Sequence, residues 1–184
     1  VIGEYVLQTK TYDYDKAEVD YGVYNKIITT IIISENITRI EDNAFIPYKD
    51  ADDFMITTFV LPSSLSYIGS HAFYMDRANC ASTVYYNGSM DDWMLVTGGA
   101  DSMLFDIGTN TFWVANVGSS GTNGNNTTTT YDNKTYYKVR NLVIPNSVKK
   151  VPEYRFYGFN QLVSVTIPDG FEEFGTSSFA GASN

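Results

Sequence analysis

Along this 184-residue chain the apolar residues fall into a frame that recurs. The last copy reads Leu162-Val-Ser-Val165-Thr-Ile167-Pro168-Asp-Gly-Phe171-Glu-Glu-Phe174-Gly, followed by Phe179. With the proline at position zero, apolar residues sit at −6, −3, −1, +3, +6 and +11. The same frame surrounds Pro62 and Pro145, and returns around Ser34. Its first copy uses Ile28, Ile31, Ile33, Ile37, Ile40 and Phe45; its second uses Ile56, Phe59, Leu61, Leu65, Ile68 and Phe73. A later copy uses Val139, Leu142, Ile144, Val148, Val151 and Phe156. All twenty-four positions of the four copies are apolar in a chain that is 43% hydrophobic, so the frame is not chance. A weaker copy around Asn87 keeps Ala81, Val84, Tyr86 and Trp93. The zero positions 34, 62, 87, 145 and 168 are separated by 28, 25, 58 and 23 residues, and the long interval predicts a degenerate unit and a loop.

Recurrence at 20–30 residues marks a solenoid. Positions −3 and −1 alternate with a residue that points the other way, which is strand periodicity. Proline then ends the strand because it has no N–H for the ladder. A second short extended piece covers +3 to +6. The small residue before the aromatic in Ala44-Phe45, Ala72-Phe73 and Ser178-Phe179 predicts a tight helical turn that drops the ring into the core. One unit cannot bury six apolar side chains, but stacked units bury them against each other, at roughly 1.5–3 kcal/mol per side chain before entropy.

Four segments follow. Residues 1–27 alternate through Tyr5, Leu7, Tyr12, Tyr14, Val19, Tyr21 and Val23, which predicts an N-terminal β-hairpin cap. Residues 28–96 are repeats, residues 97–138 a degenerate repeat with an insertion, and residues 139–184 repeats. The insertion, Gly118-Ser-Ser-Gly-Thr-Asn-Gly-Asn-Asn-Thr-Thr-Thr-Thr130, has too little apolar surface to offset its chain entropy. Between Thr111-Phe-Trp-Val114 and Tyr131–Val139 it predicts a long hairpin or loop. An array left open past Phe179 predicts a parent protein that continues, or a neighbour that caps it.

The frame resembles the BspA-like leucine-rich repeat family, whose unit runs L-x-x-I-x-I-P-x-x-V-x-x-I-G-x-x-A-F. The match is carried by Phe59-Val-Leu-Pro-Ser-Ser-Leu-Ser-Tyr-Ile-Gly-Ser-His-Ala-Phe73, by Leu142-Val-Ile-Pro-Asn-Ser-Val-Lys-Lys-Val151 and by Val165-Thr-Ile-Pro-Asp-Gly-Phe171. Val84-Tyr-Tyr-Asn-Gly-Ser-Met-Asp-Asp-Trp93 is similar to a Y-x-G-x-x-x-x-W variant of the same family. The chain departs from the pattern at Pro152, where the family has Gly, and at Arg155, where it has Ala; Phe159 and Ala182 stand in place of a cysteine. The resemblance implies a β-rich leucine-rich-repeat solenoid: a parallel strand ladder with short helical turns, an N-terminal hairpin cap and an inserted loop or hairpin. Such proteins are mostly surface or secreted proteins of host-associated bacteria and some protozoa, so it also implies adhesion or protein binding at an extracellular or cell-surface location.

Net charge is −9 with a sequence pI near 4.4, which argues against nucleic acid as a partner. No apolar stretch approaches the roughly 18 residues that span a bilayer, so no membrane insertion is expected. The single cysteine, Cys80, excludes an intramolecular disulfide. His71 is the only histidine, and at a variable position of the unit it reads as a turn residue. With one His and one Cys there is no zinc site, Cys–His pair or Ser–His pair to build, so neither a catalytic residue, a metal nor a cofactor is expected. Two acidic clusters (Asp13, Asp15, Glu18 and Asp20; Asp50, Asp52 and Asp53) lack a calcium loop's ligand spacing and read as solvated charge. Asn36, Asn87, Asn125, Asn126 and Asn133 stand in glycosylation sequons.

Function then falls to the outward face of the sheet. Position −2 places Ile32, Val60, Tyr85, Val143 and Thr166 in one row; position −4 places Thr30, Thr58, Thr83, Asn141 and Ser164 in another. The face is an apolar and aromatic row beside a polar one with little charge, which is the character of an interaction surface. The expected partner is a protein, such as one on a host surface, or a glycan reached through Tyr85, Tyr86, Trp93, Trp113 and Tyr131. The alternative roles are a structural spacer of a larger surface protein and a glycan-binding accessory region.

Overall fold

The computed structural model describes residues 30–45, 57–73, 83–98, 111–118 and 127–182. The proposed cap at 1–27, both acidic clusters and Cys80 lie outside the described residues.

The first strand of each unit forms a ladder. Strands β1 (Thr30–Ile32), β3 (Thr58–Leu61), β5 (Thr83–Ser89) and β7 (Thr111–Asn116) run parallel. Their register aligns like positions of the frame: Thr30, Thr58, Thr83 and Thr111 in one row, Ile31, Phe59, Val84 and Phe112 in the next, Ile32, Val60, Tyr85 and Trp113 in the third. Strand β7 therefore belongs to a unit whose zero position is Ala115, which splits the 58-residue interval into 28 and 30. Two further parallel strands, β10 (Asn141–Val143) and β12 (Ser164–Thr166), pair in the same way. Between them and β7 comes an antiparallel hairpin of β8 (Thr127–Tyr131) and β9 (Lys134–Lys138), with β9 against β7. Its two-residue turn, Asp132-Asn133, has φ of 47° and 60°, the mirror-image turn whose twist suits a hairpin.

The second extended piece is shorter. Strands β2 (Arg39–Ile40), β4 (Tyr67–Ile68) and β6 (Thr97–Gly98) form one parallel sheet, and β11 (Lys150–Val151) and β13 (Glu173–Phe174) another. In place of the helical turns expected after these strands, the backbone makes hydrogen-bonded turns. The cause is a residue at +9 with left-handed φ in four units: Asn43, His71, Tyr154 and Ser177, at 58°, 53°, 55° and 54°. A left-handed residue breaks the helical path, and the turn that results aligns with its neighbour, as in Phe45 N–H to Ala72 O at 2.8 Å and Phe156 N–H to Ser178 O at 2.8 Å. The sole helix among the described residues is α1 (Met90–Leu95), capped by Ser89 and Asp92 in a reciprocal box.

One core runs through all described units. Ile33, Ile40, Phe59, Leu61, Ile68, Phe73, Leu142, Ile144, Val151 and Phe156 are each at most 2% exposed. The +11 rings stack from unit to unit, Phe45 on Phe73 at 5.3 Å and Phe156 on Phe179 at 5.0 Å. The last unit departs from the expected core: Ile167 is 53% exposed, because nothing among the described residues stacks on its outer side.

The departures from the repeat pattern have a common origin. Among the described residues the β7 unit contributes its first strand and then the hairpin, so no strand lies between β6 and β11 in the second layer. At +7 a glycine is needed only where a preceding unit approaches. A Cβ on Gly69 would stand 2.3 Å from Asp42 N, and one on Gly175 would stand 2.5 Å from Glu153 N. Glu41 and Pro152 occupy the same position in units with no such described neighbour. Arg155, at the small-residue position, is fully buried and reaches to 5.0 Å from the Trp93 ring, whose Nε1 donates to Arg155 O at 3.3 Å. Phe112 against Phe159 at 4.8 Å completes the join.

Candidate interaction surface

The outward rows are not one open face. Ile32 is 63% exposed, Val143 half-buried and Thr166 exposed. Val60, expected in the same row, is only 5% exposed and so offers a partner nothing in this structure. Of the second row, Thr58 and Asn141 are half-buried and Ser164 is exposed. The Ser164 hydroxyl donates to Asn141 Oδ1 at 2.8 Å, so these two rungs form a polar pair.

Tyr85 is covered. Its ring stacks on Tyr131 at 4.5 Å and lies 4.8 Å from Tyr136, so the β8–β9 hairpin folds across the outward face of β5 as a strap. A chain of hydrogen bonds fastens it. The Tyr136 hydroxyl and Lys134 Nζ both donate to Asn87 Oδ1, at 2.7 and 2.9 Å. Asn87 Nδ2 donates to Glu35 Oε1 at 3.0 Å. The other oxygen of Glu35 accepts from the Ser63 N–H and hydroxyl, each at 3.0 Å. Residues at positions 0 and +1 of three units, Asn87, Glu35 and Ser63, are thus joined to the hairpin through one carboxylate and one amide. Burial pushes the Tyr85 and Tyr136 phenols up from their ordinary value, and the neighbouring Tyr131 adds to it. The phenols stay neutral donors through the physiological range.

Tyr86 and Trp93 lie on the opposite, inward side. Both are fully buried, 5.1 Å apart, and neither belongs to the surface. Burial raises the Tyr86 phenol pKa and lowers that of the Arg155 guanidinium, which Tyr86 opposes. Trp113 is half-buried on the outward face, with Lys138 Nζ 6.0 Å from its ring centre. Asn87 cannot carry a glycan while its amide is tied into the strap; Asn36 and Asn133 remain exposed.

Sequence periodicity does not indicate Glu35, Asn87, Lys134 or Tyr136. The available signal is Asp132-Asn133 between two runs of strand formers, a hairpin turn signature. No group of three metal-ligating side chains occurs among the described residues, and no helix there is long and apolar enough to cross a membrane. His71 serves the backbone as the left-handed turn residue.

A family model described as BspA type leucine-rich repeat region matches residues 19–88 and 102–184, in six copies. The chain belongs to the BspA-type leucine-rich repeat family. Proteins with BspA-type repeats are typically surface-associated, non-enzymatic scaffolds, and leucine-rich repeat domains generally mediate protein–protein contacts. Comparisons with curated protein sequences and with solved structures gave no match.

Proposed function

We propose that this BspA-type repeat region is a non-enzymatic interaction module of a cell-surface or secreted protein, and that it binds a protein partner through the outward sheet face on either side of the strap. The reading is carried by one observation: the −2 row presents uncharged side chains at Ile32, Val143 and Thr166, with Ile32 63% exposed, on a chain of net charge −9. Charge depletion at the centre of a surface is the compositional mark of a protein interface. A rigid parallel ladder holds those side chains at a fixed spacing of roughly 4.8 Å per rung.

A protein partner is favoured over a glycan because a sugar platform needs open ring faces. Of the five aromatics that the sequence offers, Tyr86 and Trp93 are buried, and Tyr85 and Tyr131 are stacked on each other. The test is capture of extracellular and host-surface proteins by the wild type and by Val143→Glu/Thr166→Glu, with a glycan array in parallel. Both positions have solvent access, but they are cross-strand partners and two like charges there repel, so circular dichroism of the double variant, with Thr166→Glu alone beside it, checks that the fold is kept. Binding that falls more than about tenfold, roughly 1.4 kcal/mol, supports the reading. Unchanged capture, or glycan binding without a protein partner, defeats it; no ligand at all leaves the spacer role.

A further inference from the structure

Among the described residues strand β8 is a sheet edge with nothing paired on its outer side. It ends the six-stranded order β1-β3-β5-β7-β9-β8 and pairs only with β9 among the described residues. Tyr131 and Lys134 flank the two-residue turn, so they form a hydrogen-bonded pair, and alternation makes Thr129–Tyr136 and Thr127–Lys138 hydrogen-bonded pairs as well. The N–H and C=O of Thr128 and Thr130 therefore point away from β9. Both residues are exposed. Natural edges are blunted by lysine, proline, bulges or covering loops. The edge Thr127-Thr-Thr-Thr-Tyr131 has no charge, proline or glycine, and its pairing with β9 runs without a bulge.

We propose that β8 pairs antiparallel with β8 of a second copy, joining two solenoids through one continuous sheet. The register is set by geometry. Outward groups must face outward groups, and only pairing centred on Thr129 places Thr128 opposite Thr130 of the other copy twice over. That register forms two hydrogen-bonded pairs, hence four main-chain bonds, with Thr127 opposite Tyr131 at each end. The contact is isologous, so it closes as a dimer. No charge lies on either strand, so the two-fold axis brings no like charges together, and threonine pairs across strands are favourable. A five-residue edge is small, so the dimer is weak and concentration-dependent.

The experiment is sedimentation equilibrium of the full 184-residue chain from about 5 to about 500 µM, a range chosen for a small interface. The average mass is expected to rise from 20.6 kDa toward twice that value. Thr128→Pro removes an outward N–H without removing a bond to β9, and Thr128→Lys keeps the N–H but adds an edge charge. Each should weaken dimerisation at least tenfold, with the proximity of the Tyr85 and Tyr131 rings unchanged by NMR as the check that the strap is intact. A wild type that stays monomeric throughout overturns the proposal. So does a dimer that survives both substitutions with the strap intact. A monomer whose Thr128 and Thr130 amides are protected by an added extended peptide also overturns it, since the edge is then a peptide site.

Discussion

Replacing Gly69 by alanine is the sharpest probe of how these units stack. A Cβ there would stand 2.3 Å from Asp42 N and 2.5 Å from Glu41 C, both backbone atoms of the preceding unit. Backbone atoms cannot rotate aside as a side chain can, so the two units must separate locally. Three hydrogen bonds cross at that point: Gly69 N–H to Ile40 O at 2.8 Å, Asn43 N–H to Ser70 O at 2.9 Å, and Ser70 N–H to Asp42 Oδ1 at 2.8 Å. Overpacking costs roughly 1–3 kcal/mol, and breaking any of these bonds adds about 1 kcal/mol each. We expect Gly69→Ala to destabilise by about 3 kcal/mol, and Gly175→Ala, whose Cβ would meet Glu153 N at 2.5 Å, by a similar amount. Pro152→Ala is the internal control, since no described strand precedes it in the second layer; its effect should stay within about 0.5 kcal/mol of neutral apart from the loss of proline rigidity. Urea unfolding followed by circular dichroism measures all three. Glycine variants within about 0.5 kcal/mol of wild type would refute the close-approach argument.

Two further predictions concern tyrosines. Tyr86 Oη is buried with no hydrogen-bond partner among the described residues, so Tyr86→Phe should leave stability unchanged or raise it by up to about 1 kcal/mol; a destabilisation above that size in urea melts would show that the hydroxyl is satisfied after all. Tyr85, Tyr86 and Tyr136 all have folded-state phenol pKa values raised above the ordinary value of 10.0, chiefly by burial. Below that value both folded and unfolded chains keep the proton and stability is complete. Above it the unfolded chain ionises first, so stability falls as pH rises. Melting temperatures should therefore hold from neutral pH to about pH 9 and fall beyond about pH 10. A profile that stays flat through about pH 11 would contradict this.

The ladder itself is legible in the sequence because burial repeats with the chain. In the units around Pro62 and Pro145, positions −1, +6 and +11 carry residues that end fully buried, such as Leu61, Ile68 and Phe73. The β7 unit is legible only as a gap, because its proline position holds Ala115 and its second half gives way to the hairpin. Arg155 breaks the family pattern, yet it lies where the second layer is interrupted, long enough to reach Trp93 and polar only at a tip that this ring faces. The strap is the least legible feature. Tyr85 and Tyr131 are far apart in sequence, and no periodic rule says that a hairpin will fold back over the face from which it springs. Alternation alone puts Val60 and Tyr85 in an open row, and alternation fixes the side of the sheet but not what lies upon it.

The central claim is that partners meet the outward face of the ladder beside the strap. Hydrogen exchange of the chain bound to a captured protein partner tests it most directly. Binding should slow exchange in Asn141–Val143, Ser164–Thr166 and the strap around Tyr131–Tyr136, with the turns at 42–45, 70–73 and 153–158 unchanged. Protection confined to those turns, with the sheet face exchanging as in the free chain, would contradict the account.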